Sequence, residues 1–358
     1  MNEQRQPQFR LLLIGPYPPP YGGIAMTIFD LRHYLASQGF SNVSVLNINK
    51  ISKNRDAKNP DYLSASGQLN YLWKLVAHSM SGYILHIETN GHNFKSWLSI
   101  FVCVMAGVLN GRRTIVALGS GNVPEYLNNV SFWKKIVIGM ALKLAGVIIC
   151  RNRAMVEAVQ AFGIELSRIR IVPGFVGIES RMVGSAPENV RLFCDSHAPI
   201  LGAAVMMSPE YGIPLLCESV KHLKDLYPKI GLVLMGVGPE VACDIPELSG
   251  IEDRVVFAGH LSPGIMVAVM KELRVFVRPT FFDGDSLSVR EALAVGIPVL
   301  ASATPGRPAG VIEFRVGDCS DLCRKLEDVL SQASLKYLPN KQIGSGPTLL
   351  QLYLDFAK

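Results

Sequence analysis

An alternation of short apolar runs with stretches of helical period, met twice along the chain, limits its fold more than any other feature. In the first half Arg10–Ile14 reads as a strand and Gly15–Gly23 (GPYPPPYGG) as a stiff loop ending in glycines. Ile24–Gln38 then reads as a helix with Ile24, Ile28, Leu31 and Leu35 on one face. Asn42–Ile48, Tyr83–Ile87, Thr114–Leu118, Val147–Cys150 and Ile169–Val172 follow as strands, with helical segments between them. In the second half Ile200–Val205, Ile230–Met235, Val255–Ala258, Val275–Val277 and Pro298–Ala301 read as strands, and Ile213–Leu226, Ile265–Lys271 and Ser286–Val295 as helices. Residues 179–199 (ESRMVGSAPENVRLFCDSHAP) are polar and poor in pattern, which suits a linker. Strands that alternate with helices call for a parallel sheet covered on both faces, so the expected fold class is α/β with two doubly wound domains. Ligands of such folds bind at the carboxyl ends of the strands, here expected in a cleft between the halves.

Composition removes several classes. With 358 residues, 49% hydrophobic and 18% charged, the chain can build two real cores and is not a disordered protein. A net charge of +6 is spread out, apart from small clusters at Arg112-Arg113, Lys134-Lys135 and Arg151/Arg153. The absence of a basic stripe argues against nucleic acid and leaves an anionic small molecule or an acidic membrane surface as partner. The polar start MNEQRQPQFR, followed by only Leu11–Ile14 as an apolar run, does not read as a signal peptide, so a cytoplasmic location is expected, with peripheral attachment to the inner face of the membrane as a second expectation. Trp97–Leu109 is apolar for 13 residues, too short to cross a bilayer, and reads as a buried helix. Trp133–Cys150 is interrupted by Lys134, Lys135 and Lys143, and suits an amphipathic helix packed on a domain or lying on a membrane. The seven cysteines form no disulfide ladder, and Cys319-x3-Cys323 lacks a second ligand pair for zinc.

Residues 281–302 (FFDGDSLSVREALAVGIPVLAS) place two aspartates and a glutamate around a helix. Asp285 or Ser286 can cap it, and Gly296 with Pro298 ends it. Free amides and positive dipole at the helix start make Gly284–Leu287 a natural site for a phosphate. The plainer reading is that Asp283 and Asp285 favour the turn while Glu291 pairs with Arg290 or another surface charge. Taken alone, the stretch leaves both readings open.

GPYPPPYGGIA, IVPGFV, LVLMGVGPE at 232–240, VVFAGHLS at 255–262 and DGDSLSVREALAVGIPVLAS together resemble the retaining family-4 glycosyltransferases of GT-B fold, from about Arg10 to Ala301. That family carries two acidic residues separated by seven others, the second followed by alanine; here they are Asp283 and Glu291-Ala292. The resemblance implies that Glu291 holds the ribose hydroxyls of a nucleotide sugar and Asp283 faces the hexose. It also implies that the amides of Gly284, Asp285, Ser286 and Leu287 meet the diphosphate. Gly22, Gly23 and Gly238 would let backbone approach the donor. Asp283-Gly284-Asp285 also matches a short Asp-x-Asp metal motif, but the surrounding helix pattern is the more specific signal, and neither a metal nor another cofactor is expected.

Two departures weigh against activity. Relatives open the second domain with an arginine and, five residues later, a lysine that clamp the diphosphate; this chain has Met206 and Tyr211 there. Arg278, in VRPTFFDGD, is the candidate replacement, with Arg290 the weaker one, and either can instead pair with Asp283 or Asp285. Relatives also carry a histidine after the strand reading TIVALGSGN, and this chain has none there. Asn122 in that loop, with Glu88 and Asn90 in LHIETNGH, are candidate acceptor contacts; His86 and His92 are not assigned as bases.

The expected function is transfer of a hexose-type sugar from a nucleotide-diphosphate sugar, a UDP-sugar ahead of a GDP-sugar, to a glycan or lipid-linked acceptor with retention, in bacterial polysaccharide, lipopolysaccharide or capsule synthesis. A non-catalytic nucleotide-sugar-binding or accessory protein and a nucleotide-sugar epimerase are the alternatives. The expected layout is 1–178, an acceptor-side domain; 179–199, a linker; 200–340, a donor-binding domain; and 341–358, a helix returning to the first domain.

Overall fold

Leu11–Gly15 forms β1, and all five residues are buried, as parallel strands are when helices cover both faces of the sheet. The computed structural model describes residues 9–19, 21–49, 61–65, 67–111, 114–177, 184–332 and 345–357. Pro20, Arg112, Arg113, residues 178–183 and residues 341–344, on which parts of the sequence reading fall, lie outside the described residues. The chain divides into two units, residues 1–177 with 344–358, and residues 178–343.

In the first unit β1 is followed by α1 (Gly23–Ser37), β2 (Val43–Asn47), β3 (Leu63–Ser64), α2 (Gln68–Met80), β4 (Ile84–Thr89) and α3 (Phe94–Val108). Then come β5 (Thr114–Leu118), α4 (Val123–Asn129), α5 (Phe132–Leu144), β6 (Val147–Cys150), α6 (Arg153–Gln160) and β7 (Ile169–Ile171). The seven strands are parallel in the order β3-β2-β1-β4-β5-β6-β7. Because strand side chains alternate between faces, Leu12 and Ile14 join a core with Leu75, Trp97 and Ile138 of α2, α3 and α5. Leu11 and Leu13 join a second core, with Leu31 and Leu35 of α1, on the opposite face. The stretch 133–150 is a helix only as far as Leu144; its remainder turns and becomes β6.

The second unit runs α7 (Glu188–Ser196), β8 (Ile200–Ala204), α8 (Ile213–Leu223), β9 (Gly231–Met235), β10 (Val255–Gly259) and α9 (Pro263–Glu272). It continues with β11 (Val275–Arg278), α10 (Leu287–Val295), β12 (Val299–Ser302), β13 (Val311–Phe314) and α11 (Cys319–Ser331). Its six parallel strands lie in the order β10-β9-β8-β11-β12-β13. The segment read as a structure-poor linker needs correction: α7 occupies residues 188–196 of it and buries Val190 in this unit's core.

A last helix, α12 (Gly346–Ala357), belongs to the first unit. Leu349 and Tyr353 complete the core under α1, and the Tyr353 hydroxyl and Nδ1 of His86 on β4 share a hydrogen bond at 2.6 Å. His86 is neutral there: burial first, and the positive Arg151 second, lower its pKa from 6.5 to about 3. Its Nε2 lies 3.6 Å from Glu88, beyond hydrogen-bond distance, and that carboxylate is already taken by Arg151.

Candidate functional site

In the second sheet the chain runs outward from β8 in both directions, to β9 and β10 on one side and to β11, β12 and β13 on the other. The loops that leave the carboxyl ends of β8 and β11 therefore stand at the point where the strand order switches, the usual place for a ligand in a parallel sheet. The β8 loop carries Met206 and Tyr211 and ends at Gly212, whose φ of 65° is left-handed. An added Cβ at Gly212 would stand 2.4 Å from the Pro279 carbonyl, so the two loops meet where only glycine fits.

The β11 loop carries the acidic motif. Asp283 Oδ2 accepts from Arg278 Nε at 3.1 Å, Arg307 Nη1 at 3.0 Å and Thr280 Oγ1 at 3.2 Å. All three contacts fall on one oxygen, and among the described residues Oδ1 makes no hydrogen bond. Burial alone would push the Asp283 carboxyl up, but the charges of Arg278 and Arg307 and their hydrogen bonds outweigh it and hold the carboxyl below its ordinary 3.8. For Arg307 the balance runs the other way, since burial is the largest influence and lowers its pKa despite Asp283. The guanidinium still carries charge at neutral pH, as arginine does throughout proteins.

The two arginines differ in what they have left to give. Arg307, its side chain 3% exposed, donates through Nε to the Ser302 carbonyl and through Nη2 to Thr280 and Ser302 as well as through Nη1 to Asp283. Arg278 donates through Nη1 to the Ala204 carbonyl at 2.8 Å, and its Nη2 makes no hydrogen bond among the described residues. The Tyr211 ring lies under this guanidinium, 4.9 Å from centroid to Cζ, and the Tyr211 hydroxyl donates to Met206 Sδ at 3.3 Å. The residues standing where relatives have two cations thus brace a third cation from the adjacent strand by a cation–π contact.

Ser286 takes the N-cap position of α10, but its hydroxyl bonds Ser288 and no first-turn amide, which corrects the expected cap. Asp285 pairs with Arg290 at 2.6 Å, the alternative the sequence had left open. The two aspartates of Asp283-Gly284-Asp285 therefore face different guanidiniums. Among the described residues no group of three histidines, cysteines or acidic residues could hold a metal. Glu291, 6% exposed, sits in the second turn of the same helix, and Gly296 closes it at φ 88°. Gly238 follows β9 at the same carboxyl edge and is buried, with the Glu240 carboxylate folded over it.

In the first unit the order of strands parts between β1 and β4. Gly22 caps α1 with an ordinary φ of −93° and no side-chain cap, and no described atom lies within 4 Å of where its Cβ would stand. Neither backbone strain nor packing among the described residues asks for glycine there. Gly23 follows as the first residue of α1 and is exposed. Asn90 is exposed after β4, and its carbonyl accepts from Ser120 N at 3.1 Å, which joins its loop to the one carrying half-buried Asn122. Glu88 differs from expectation: it is buried, and its carboxylate is bound to Arg151, which also donates to the carbonyls of Val172 and Pro173. A carboxylate so committed ties strand ends together.

Arg307 has no counterpart in the sequence reading. The signal lay in ATPGRPAG, where Gly306 and Gly310 both adopt positive φ and turn the chain back over the β12 end.

Residues 198–332 match the family model described as glycosyl transferases group 1. HepE from Anabaena, in complex with UDP, superposes with a TM-score of 0.67 at 14% identity over 98% of this chain and 97% of that one. Sucrose-phosphate synthase from Thermosynechococcus elongatus superposes with a TM-score of 0.70 at 18% identity over 97% and 96%. The fold is GT-B. Within it, the group 1 segment holds all of the site built on β8, β11 and β12. A D-inositol 3-phosphate glycosyltransferase of Corynebacterium efficiens is 28% identical over 129 residues, covering 34% of this GT-B chain and 30% of that protein. The chain thus spans about a third of the length of that curated relative.

Proposed function

We propose that this chain is a glycosyltransferase that moves a hexose-type sugar from a nucleotide-diphosphate sugar to a glycan or lipid-linked acceptor, with retention of configuration, in polysaccharide synthesis. The observation that carries the reading is the Arg278–Asp283–Arg307 cluster with Glu291 behind it, at the parting of β8 and β11 inside the group 1 segment. Arg278 keeps donors for the diphosphate, Asp283 keeps Oδ1 for the sugar, and the amides of Gly284–Leu287 supply the helix start to which anions are drawn. Glu291 is assigned to the ribose. Charge that develops on the leaving diphosphate is then met by a fixed guanidinium and fixed dipoles, the arrangement that most lowers such a barrier.

Gly22 and Gly23 are assigned to close backbone approach to the donor, because the described residues give no reason for glycine at position 22. Asn90 and Asn122 are the acceptor contacts. UDP is placed ahead of GDP and ADP, and no metal is required; HepE, solved with UDP and with UDP-glucose, supports that order. A thermal-shift panel of UDP, GDP and ADP tests the binding half, since a ligand of the folded state raises stability by mass action. Transfer from the matching UDP-sugar tests the other half. A second reading, binding without turnover, is favoured by Met206 and Tyr211; a donor that binds but is neither hydrolysed nor transferred with any glycan acceptor decides for it.

A further inference from the structure

Three helices on one face of the first sheet break the usual rule that outward positions are polar. α2, α3 and α5 each bury an apolar side, with Leu75, Trp97 and Ile138 in the core below them, and each carries a second apolar side outward. On α5, Phe132, Trp133, Ile136 and Met140 are exposed at helical spacing, with Trp133 at 76%. On α2, Leu69 and Trp73 are exposed at 85% and 69%, and on α3, which packs against both, Leu98 and Met105 are about half exposed. More than half of the exposed large apolar side chains among the described residues lie on these helices and the residue that caps α3. The three helices contain no aspartate or glutamate, while they carry Lys74, Lys95, Lys134, Lys135 and Lys143.

We infer that this face docks on a bilayer surface bearing anionic headgroups. Exposed aromatic and aliphatic side chains supply area to insert at the headgroup boundary, and the lysines supply attraction to negative lipid. The charge pattern favours lipid over a protein partner: Lys74 is turned to the Ser64 carbonyl, but a face with the four exposed lysines Lys95, Lys134, Lys135 and Lys143 and no acid on its three helices complements a uniformly negative surface, whereas protein surfaces mix both signs. Lys134 reaches over the Phe94 ring at 5.7 Å, so one of the cations of α5 stands against the start of α3. No helix among the described residues is long and apolar enough to cross a membrane, so the contact lies on the surface. The inference rests on the proposed function only in making a lipid-linked acceptor accessible.

The test uses the full chain with vesicles of equal parts phosphatidylcholine and phosphatidylglycerol, and with phosphatidylcholine alone. Two of the three tryptophans, Trp73 and Trp133, lie on this face and the third, Trp97, is buried, so intrinsic fluorescence reports the contact directly. Flotation with the mixed vesicles, a blue shift on binding and release by salt are expected. Lys134→Glu with Lys135→Glu should weaken binding at least about tenfold, and Trp73→Ser with Trp133→Ser should abolish the fluorescence shift and weaken flotation. UDP binding should persist in all variants, because none of the altered residues is assigned to the donor; its absence from the unaltered chain would count against the proposed function and not against this one. Failure to float, equal flotation on neutral vesicles, variants that bind as the original does, or a sedimenting dimer that shields Trp73 and Trp133 without lipid would each overturn the inference.

Discussion

At the scale of single residues, the proposed chemistry turns on one carboxylate held by one oxygen. If Asp283 serves the transferred sugar, Asp283→Asn should lower turnover without lowering UDP affinity, since the bare nucleotide lacks the group it faces and two guanidiniums gain freedom toward phosphate. The same change should cost stability, about 3 kcal/mol, because the buried guanidiniums lose their counter-charge. Glu291→Gln should instead weaken UDP binding, by about 1.5–3 kcal/mol through lost charge-assisted hydrogen bonds. Calorimetry beside a transfer assay separates them, and an equal loss of UDP affinity in both would end this division of roles. Arg307 is argued to act through Asp283. The Asp283 pKa is depressed in the fold, so the ion cluster's contribution is complete above the ordinary carboxylate value and is lost as pH falls through the lower, folded one. Arg307→Met removes one of the two cations, so the acid limb of the rate profile should move to higher pH, whereas a merely structural arginine would lower stability and leave the limb in place. Asp283, Glu291 and Arg278 were legible because they sit within one short motif. Arg307 lies 24 residues beyond Asp283, and no spacing on a line of sequence shows that a turn will bring it back.

At the scale of elements, what was legible followed the strength of the periodic signal. Strands buried on both faces are continuous apolar runs, so Thr114–Leu118 and Val147–Cys150 were read with their observed bounds. α7 was missed because only Val190 of its nine residues is buried, which leaves no apolar stripe to see; Pro187 with Glu188 in the first turn was its start signal. α11 and β13 lie past the point where the resemblance faded. α12 was legible as a helix, but its buried polar contact was not, since Tyr353 and His86 are 267 residues apart. Tyr353→Phe should cost about 1–3 kcal/mol by leaving buried His86 Nδ1 without its hydrogen-bond partner, seen as a lower melting temperature. The histidine also sets a pH dependence. Its pKa falls from 6.5 to about 3 on folding, so its contribution is full above pH 6.5 and is lost as pH drops from there toward 3, at up to about 1.4 kcal/mol per pH unit. His86→Gln should flatten that slope in acid unfolding curves, and an unchanged slope would assign it to other groups.

At the scale of the whole molecule, two doubly wound units could be read from alternation alone, since strands that alternate with helices have few other solutions. The strand order, which places the β8–β11 parting, could not. Each unit has its own pair of cores, so a ligand held by one should leave the other's stability nearly unchanged. UDP should slow hydrogen exchange in the β8 and β11 loops and along α10 while leaving α2 and α5 as they were; protection confined to the first unit would relocate the donor site. The membership of α12 has a consequence for synthesis. During translation the second unit has all its residues before Gly346–Ala357 are made, whereas the core under α1 still lacks Leu349 and Tyr353. The half of the molecule that begins first is finished last, and until then a nascent chain must carry its open apolar side in the company of chaperones.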